Sequence, residues 1–258
     1  MNNPIDRVAS LDLTLFDNVS SQTSEGDRRS LLAVQRSVAG KRGQYTYLEI
    51  GSHLGGSLQQ HVVDLRCARI YSIDPRPLHQ PDDRAAGFTW TYENNSSERM
   101  LDLLRGVAGG DVTKIQCIEK DASKIDLETI QHRPDLIFID GEHTRTAVLS
   151  DFQFCYKVVA ENGVILFHDF SIVDVAIFEI CKNLSRERRP YLPLKLEGNV
   201  FGIFFDPDLV HSDPYLEGMF RENRHFLTAC RFRYWLKGIL PSPVVDAIRT
   251  ARRSLRGK

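Results

Sequence analysis

The sequence has no long apolar segment and no excess of charge of either sign. No run of eighteen apolar residues occurs, so we expect no membrane span. The formal net charge is -1, which indicates no general attraction to nucleic acid, and we expect no nucleic-acid partner. The first residues lack the basic-then-apolar pattern of a signal peptide, which favours a cytoplasmic protein. Internal repeats and low-complexity tracts are also missing.

Two sequence signatures of specific protein classes are absent. The five cysteines form no C-x-x-C pair, so we expect reduced, mostly buried thiols rather than a metal or redox motif. The dinucleotide fingerprint G-x-G-x-x-G is absent as well, which makes a nicotinamide-binding enzyme the least favoured class. What the chain does contain is 258 residues with 42% apolar side chains, enough for one large domain with extensions.

A glycine-rich segment follows the first predicted strand. Residues 45–50 are strand formers, and Gly51, Gly55 and Gly56 come directly after them. Glycine permits a sharp turn and a close approach of a ligand to the backbone, and the N-terminus of the next helix attracts negative charge. The segment therefore favours a nucleotide-type site, although an ordinary strand-to-helix turn also uses glycine. The predicted helix has Leu58, Val62 and Leu65 on its apolar side.

Alternating strands and helices follow this segment. Helices are predicted over residues 27–39, from 96 or 97, and over 144–159 and 173–184; strands are predicted over 68–73, 114–119, 135–139 and 163–167. Residues 192–196 and 200–205 are predicted to form an antiparallel hairpin around Gly198. Residues 1–26 are predicted to be an irregular cap or lid, and residues 75–95 a long functional loop.

Acidic or imidazole side chains stand at the ends of four predicted strands. Because the carboxyl ends of parallel strands meet at one edge of a sheet, these side chains should share a site. Unpaired buried carboxylates are unfavourable, so stability does not explain this pattern. The residues are Glu49, Asp74, Asp140 with His143, and His168 with Asp169.

Asp74 and the pair Asp140–Asp169 have the clearest predicted chemistry. Asp74 follows Glu49 by about 25 residues, a spacing at which nucleotide-binding folds place an acid on ribose hydroxyls; a turn aspartate before proline is the alternative. Neighbouring strands lie about 4.8 Å apart. Asp140 and Asp169 are therefore predicted to meet across a cation such as Mg²⁺, with His168 as a possible third ligand or a core histidine. His143 is the candidate general base.

The segment from Glu49 to Ser57 resembles the first motif of class I S-adenosylmethionine-dependent methyltransferases. The segments 139–143 and 163–169 resemble metal-dependent O-methyltransferases that act on sugars of macrolides, and a cephalosporin-biosynthesis protein of the same fold. A terminal antiparallel hairpin is typical of this fold. The resemblance implies that Asp140 and Asp169 ligate a metal and that His143 is the base, and it places Asp121 and Ala122 beside the adenine; a helix N-cap is the other interpretation of this pair. Such relatives often carry Glu where this chain has His168.

The resemblance predicts an α/β, Rossmann-like fold with a seven-stranded mixed sheet, a terminal antiparallel hairpin and helices on both faces. The predicted parts are an N-terminal cap over 1–44, a cofactor-binding domain over 45–206 and a basic helical extension over 207–258. The extension is expected to pack on the domain or a second subunit, or to contact an anionic membrane surface. The cofactor-binding residues are predicted to be Glu49, Gly51, Ser52, Gly55, Gly56, Ser57, Asp74, Asp121, Ala122 and Asp140.

The predicted function is methyl transfer from S-adenosylmethionine to a hydroxyl of a sugar, glycan or other natural product, assisted by Mg²⁺ held by Asp140, His168 and Asp169. Two alternatives remain open. One is metal-independent transfer with His143 as the sole base, and the other is a non-catalytic member that binds a ligand. Assembly into a homo-oligomer is a further hypothesis.

Overall fold

In the computed structural model, the described residues are 3–187, 189–226 and 228. The chain divides into two compact units, Met1–Arg221 and Glu222–Lys258. The basic C-terminal helix predicted within the second unit lies outside the described residues. No helix of the described residues is long and apolar enough to cross a bilayer.

The described residues form eight α-helices and nine strands. The helices are α1 (Pro4–Ala9), α2 (Glu25–Arg42), α3 (Gln59–Val63), α4 (Ser97–Arg105), α5 (Arg145–Val158), α6 (Phe170–Leu184), α7 (Asp208–His211) and α8 (Pro214–Asn223). The strands are β1 (Tyr45–Ile50), β2 (Cys67–Ile73), β3 (His79–Pro81), β4 (Thr89–Thr91), β5 (Ile115–Ile118), β6 (Leu136–Ile139), β7 (Val164–Phe167), β8 (Leu192–Lys195) and β9 (Phe201–Phe204).

Seven strands form one mixed sheet in the order β5-β2-β1-β6-β7-β9-β8. The pairs from β5 to β7 are parallel, whereas β9 runs antiparallel to β7 and to β8. This confirms the predicted seven-stranded sheet and its antiparallel hairpin. The chain leaves β1 toward β2 and β5, and later returns to the other side of β1 with β6. The topological switch point, where ligands bind in open sheets, therefore lies between β1 and β6.

Alternate side chains of the central strands face two separate helical layers. Tyr47 of β1, Phe138 of β6 and Leu166 of β7 pack into a core with α1–α4, α7 and α8. Their neighbours along each strand face the other way, toward α5 and α6, which pack against each other. Phe152 of α5, for example, lies beside Phe167 of β7. Because both faces are covered, strands β6 and β7 are continuous apolar runs, as expected for parallel strands.

Several local predictions differ from the structure. Residues 3–19 are not irregular: Val8 of α1 and Phe16 of a short 3-10 turn are buried in the main core. Gly40 lies within α2, and the helix ends only at Gly43, which has a φ of 75°. Helix α3 is short and ends at Val63, so Leu65 lies beyond it and is 71% exposed. Leu65 therefore does not belong to the apolar side of that helix.

The segment 75–95 contains its own small antiparallel sheet. Strands β3 and β4 pair His79 with Thr91 and Pro81 with Thr89. The segment is attached to the loop after β6 by a parallel bridge between Asp82 and His143, and by a 3.1 Å hydrogen bond from the Asp83 amide to the His143 carbonyl. The sequence predicted this segment only as one long loop. In the structure, these contacts place it directly at the candidate site.

Candidate active site

The ends of the central strands are aligned by backbone hydrogen bonds that continue past the strands. The Gly51 amide donates to Ile73, the Asp140 amide to Ile50 and the His168 amide to Ile139, at 2.8–3.0 Å. Asp74 is placed in the same way after β2, through a 3.1 Å bond from its amide to Ile118. The predicted strand-end residues Asp74, Asp140 and His168 therefore stand in one row along the switch point.

Gly51 allows the first two loops to approach each other. Its φ is 86°, and a Cβ added there would lie 2.2 Å from the carbonyl oxygen of Asp140. Glycine is required at position 56 by a different contact, because a Cβ there would lie 2.5 Å from the carbonyl oxygen of Ser20. The glycine segment thus makes room for the loop after β6 on one side and for the N-terminal segment on the other.

A cavity with two adjoining lobes opens at this point. The first lobe is bounded by the glycine segment, by the N-terminal residues 20–22, and by Asp140 and His143. The second lobe lies beyond Asp74 and is bounded by Ile50, Ala122 and Asp151. Gly51, Asp74 and Gln80 line both lobes. Of the predicted cofactor residues, those that line one or both lobes are Gly51, Ser52, Gly56, Ser57, Asp74, Asp121, Ala122 and Asp140.

Two predicted cofactor residues do not line either lobe. Glu49 is fully buried, and its two carboxylate oxygens accept hydrogen bonds from the hydroxyls of Tyr47 and Ser57. Burial raises the pKa of Glu49 to about 8, although these hydrogen bonds oppose the shift. Gly55 has a φ of 83° and faces Leu104 and Met100 of α4. Both residues therefore contribute to the packing of the glycine segment and not to the cavity wall.

Asp74 organises the loop between the two lobes. One carboxylate oxygen accepts a 2.9 Å hydrogen bond from the His53 amide, and the other accepts a 2.8 Å bond from the Arg76 amide. The guanidinium of Arg76 also lies 3.4 Å from Asp74 and donates to the Asn95 side chain at 3.0 Å. The carboxylate is thus held in place at the junction of the lobes while remaining part of the cavity wall.

His143 contacts three carboxylates. Its Nε2 lies 3.3 Å from Asp140, and its Nδ1 lies 3.2 Å from Asp82 and 3.3 Å from Asp169. Burial opposes protonation, but the hydrogen bond to Asp140 and the charges of Asp140 and Asp169 together raise the pKa of His143. Asp82, which is 4% exposed, comes from the segment 75–95 and was not predicted as a site residue.

His168 lies between two carboxylates on the other side of Asp140. Its Nδ1 is 2.9 Å from Asp140, and its Nε2 is 3.4 Å from Asp27 of α2. Burial would lower the pKa of His168, but Asp140 and Asp27 raise it well above its usual value. In return, and against the effect of burial, the charge of His168 lowers the pKa of Asp140 to about 2. Sequence reasoning missed Asp27, whose only signal was its place three residues after Ser24 in a capping box.

Asp169 is held in an unusual backbone conformation. Its φ of 47° and ψ of 40° are left-handed, a region that few residues other than glycine adopt. Its carboxylate accepts a 2.8 Å hydrogen bond from Asn199 in the β8–β9 turn and lies 3.2 Å from the guanidinium of Arg84. Strain of this kind persists where the surroundings fix it, and it is frequent at functional sites.

The donor set around His143 suits a hard divalent cation. Two groups of side chains have ligand atoms within 4.8 Å of one another: Asp140 with His143 and His168, and Asp82 with His143 and Asp169. Carboxylate oxygens are the ligands that Mg²⁺ prefers. Asp140 and Asp169 therefore stand on opposite sides of His143 rather than in one three-ligand group with His168.

The fold and this site together define a Rossmann-like α/β domain with a cleft at its switch point. The sequence profile of a family described as a methyltransferase domain matches residues 48–170, and this part of the chain is similar to that family. The match includes Gly51, Asp74, Asp140, His143 and Asp169.

Three similar proteins illustrate the range of relatives. The uncharacterized protein R132 of Acanthamoeba polyphaga mimivirus is 29% identical over 131 residues, which are 50% of this chain and 53% of that protein. The chain thus spans about half the length of this curated relative. The solved structure of CalS11, a calicheamicin methyltransferase, superposes with a TM-score of 0.50 at 13% identity over 78% of this chain and 91% of its own. MycE, a methyltransferase of the mycinamycin biosynthetic pathway solved with Mg and SAH, has a TM-score of 0.49 at 16% identity, over 76% of this chain and 54% of its own.

Proposed function

We propose that the protein transfers a methyl group from S-adenosylmethionine to a hydroxyl group of a sugar, glycan or related natural product. The observation that carries this proposal is the position of His143, which lies at the wall of the cavity formed by the glycine segment and contacts Asp140, Asp82 and Asp169. The match to a methyltransferase-domain family supports the type of reaction. The sugar or natural-product acceptor rests on the sequence resemblance of residues 139–143 and 163–169.

The cavity wall offers the contacts that this cofactor requires. Asp74 stands between the lobes, where its carboxylate would accept hydrogen bonds from the two hydroxyls of the ribose. Ile50 and Ala122 give the second lobe an apolar wall for the adenine, and the first lobe then receives the methionine part next to His143. The predicted adenine contacts of Asp121 and Ala122 belong to this arrangement.

In the proposed reaction, His143 accepts the proton of the acceptor hydroxyl. The acceptor oxygen forms a bond to the methyl carbon as the carbon–sulfur bond breaks, which leaves S-adenosylhomocysteine and a methyl ether. His143 must be neutral to accept a proton, whereas the neighbouring carboxylates favour its charged form. Asp82 and Asp140 fix the orientation of the ring from opposite sides, so that the acceptor and the methyl donor are aligned.

A divalent cation would be held by the carboxylates of Asp82 and Asp169, which belong to one group, or by that of Asp140, which belongs to the other. Such a cation would lower the pKa of the acceptor hydroxyl and favour the neutral imidazole. That His168 is a ligand stays a prediction, because its two ring nitrogens face Asp140 and Asp27. The metal-independent alternative keeps His143 as the only base. The metal-independent reaction is supported by the same observation, because hydrogen bonds from protein side chains already orient the His143 imidazole.

A transfer assay separates these alternatives. The full chain would be incubated with methyl-labelled S-adenosylmethionine and a panel of glycosides that carry vicinal hydroxyls. We expect labelled methyl ether that disappears with EDTA and returns with Mg²⁺. Activity that EDTA leaves unchanged would contradict the metal assistance and favour the metal-independent reaction. Cofactor binding without transfer to any glycoside of the panel would contradict the proposed acceptor class and would favour the non-catalytic alternative.

A further inference from the structure

The second lobe contains a carboxyl group that the proposed reaction does not use. Asp151 projects from α5 into this lobe, beside Gly141, where an added Cβ would lie 3.5 Å from its Oδ2. No described residue forms a hydrogen bond or ion pair with the side chain of Asp151. The side chain is partly exposed to the lobe, so a ligand that fills the lobe would contact this carboxyl group.

The surroundings of Asp151 favour the protonated form of its carboxyl group. Burial, together with the negative charges of Glu142 after β6 and Asp121 after β5, raises the pKa of Asp151 to about 7. A neutral carboxyl group presents one hydrogen-bond donor next to one acceptor. It resembles in this respect the amide of asparagine or glutamine, which pairs with the amino group and a ring nitrogen of adenine through two hydrogen bonds.

The rest of the lobe determines which part of a ligand reaches Asp151. Asp74 stands at the junction with the first lobe, where a ribose would lie. Beyond it, the wall is apolar at Ile50 and Ala122, which suits the face of a flat ring. Asp151 is then one of the polar groups that could meet the edge of that ring, together with Asp121 and Glu142.

We propose that Asp151 determines the base specificity of the cofactor site by pairing with the 6-amino group and an adjacent ring nitrogen of adenine. This inference rests on the proposed binding of S-adenosylmethionine and adds a residue that recognises the base. Ionised carboxylate would accept from the amino group but could not donate to the ring nitrogen. The residue therefore selects an amino-substituted purine.

The test combines changes in the protein with one change in the ligand. Calorimetry would compare S-adenosylhomocysteine with its analogue that lacks the 6-amino group, on the wild type, Asp151→Ala and Asp151→Asn. Neither substitution adds volume, and melting curves would verify folding. Asp102→Asn on α4 is the matched control, since Asp102 is exposed and pairs with Arg105 in the neighbouring turn.

We expect the wild type to prefer the amino-substituted ligand by about tenfold or more, and Asp151→Ala to lose most of this preference. Asp151→Asn should keep the preference within about threefold, because its amide also offers a donor and an acceptor. The control should behave like the wild type. An alanine variant that retains the full preference would overturn the inference while leaving the proposed function intact.

Two further outcomes would also overturn the inference. An asparagine variant as unselective as the alanine variant would overturn the pairing through a neutral carboxyl group. A wild type that binds neither ligand would overturn the proposed function itself, and the inference with it.

Discussion

His143 joins parts of the chain that are far apart in sequence. Asp82 reaches it from the segment between β2 and α4, Asp140 from the end of β6, and Asp169 from the start of α6. A single imidazole that contacts three carboxylates cannot rotate freely, and one of its nitrogens must exchange a carboxylate contact for the acceptor hydroxyl before it can accept the proton. The contacts restrict the motion of the ring and fix its orientation. A proton acceptor needs such a fixed orientation when two substrates must be aligned with it.

Removing this imidazole should stop the reaction but not cofactor binding. We expect His143→Ala to lower kcat by roughly 10²- to 10⁴-fold, the usual contribution of a general base. The affinity for S-adenosylhomocysteine should stay within about threefold. Steady-state kinetics and calorimetry would check the two effects separately. His211→Ala is the control, because His211 is a surface residue paired with Glu217. A His143→Ala variant with the wild-type kcat would contradict the role of the base.

Gly51 can be tested against a glycine of similar conformation. Gly51→Ala combines a left-handed φ with a Cβ that would lie 2.2 Å from the Asp140 carbonyl, so we expect a loss of roughly 3–5 kcal/mol in the free energy of unfolding. Gly109 has a φ of 78° with nothing within 4 Å of an added Cβ. Gly109→Ala should therefore lose only about 1 kcal/mol. Chemical denaturation would measure both, and equal losses would show that the close approach at Gly51 has no energetic weight.

At the scale of elements, the N-terminal segment is attached to the glycine segment by one buried side chain. Gln59 of α3 accepts hydrogen bonds from the amides of Asn18 and Val19. Its amide nitrogen donates to the carbonyls of Phe16, Val19 and Gly56, at 2.8–3.1 Å. Residues 20–22, which follow directly, form part of the wall of the first lobe. The predicted cap is thus fixed to the element that it covers.

Gln59→Ala should loosen this attachment. Five backbone groups would lose their partner, so we expect a loss of roughly 3 kcal/mol or more in the free energy of unfolding and a weaker affinity for S-adenosylhomocysteine. Gln60→Ala is the control, because Gln60 is equally buried on the same helix but its side chain donates only to the Ser57 carbonyl. Its loss should be about 1–2 kcal/mol, a range that includes the cavity left behind. Equal losses in the two variants, or an unchanged affinity in Gln59→Ala, would contradict the attachment.

The elements that sequence could predict are those with a local signal. Strands β6 and β7 are continuous apolar runs, and the start of α2 carries a capping box at Ser24 and Asp27. The small sheet of β3 and β4 has three-residue strands in a polar segment. Neither the periodicity of their apolar residues nor their length distinguishes such strands from a loop. Leu65 was misplaced because apolar spacing alone suggested a helix longer than five residues.

At the scale of the whole molecule, the ionisation of buried residues at the site makes the stability of the fold depend on pH. Buried carboxyl and imidazole groups with raised pKa values, such as Glu49 at about 8, stabilise the fold below their unfolded-state pKa values, and this stabilisation is lost as the pH rises. His168, with its raised pKa, acts in the same direction. Asp140, at about 2, has a lowered pKa, so its contribution is present above about 3.8 and is lost as the pH falls toward 2.

The melting temperature of the free protein should therefore be highest between about pH 4 and pH 6, and should decline toward pH 8. Differential scanning calorimetry across this range would measure it. Glu49→Gln should flatten the decline between about pH 5 and pH 8, because glutamine does not ionise and keeps the volume. A wild-type melting temperature that increases steadily from pH 5 to pH 8 would contradict these ionisation states.

The candidate site was predictable where topology alone determines it. Parallel strands bring their carboxyl ends together, so Asp74, Asp140, His143 and Asp169 were predicted as one group from their positions alone. Asp82 and Asp27 reach the same site through long-range packing, of the segment 75–95 and of α2, and no local pattern marks such contacts. Asp151 lies inside a helix that has an ordinary apolar pattern, so only the cavity identifies it.

The most direct test of the account is a calorimetric titration of the full chain with S-adenosylhomocysteine. We expect one site per chain with a Kd in the micromolar range, and an affinity about tenfold weaker or more in Asp74→Ala, since its carboxylate would hold the ribose. The affinity of the His143→Ala variant should match that of the wild type. The absence of binding to the wild type would contradict the proposed cofactor, and with it the function.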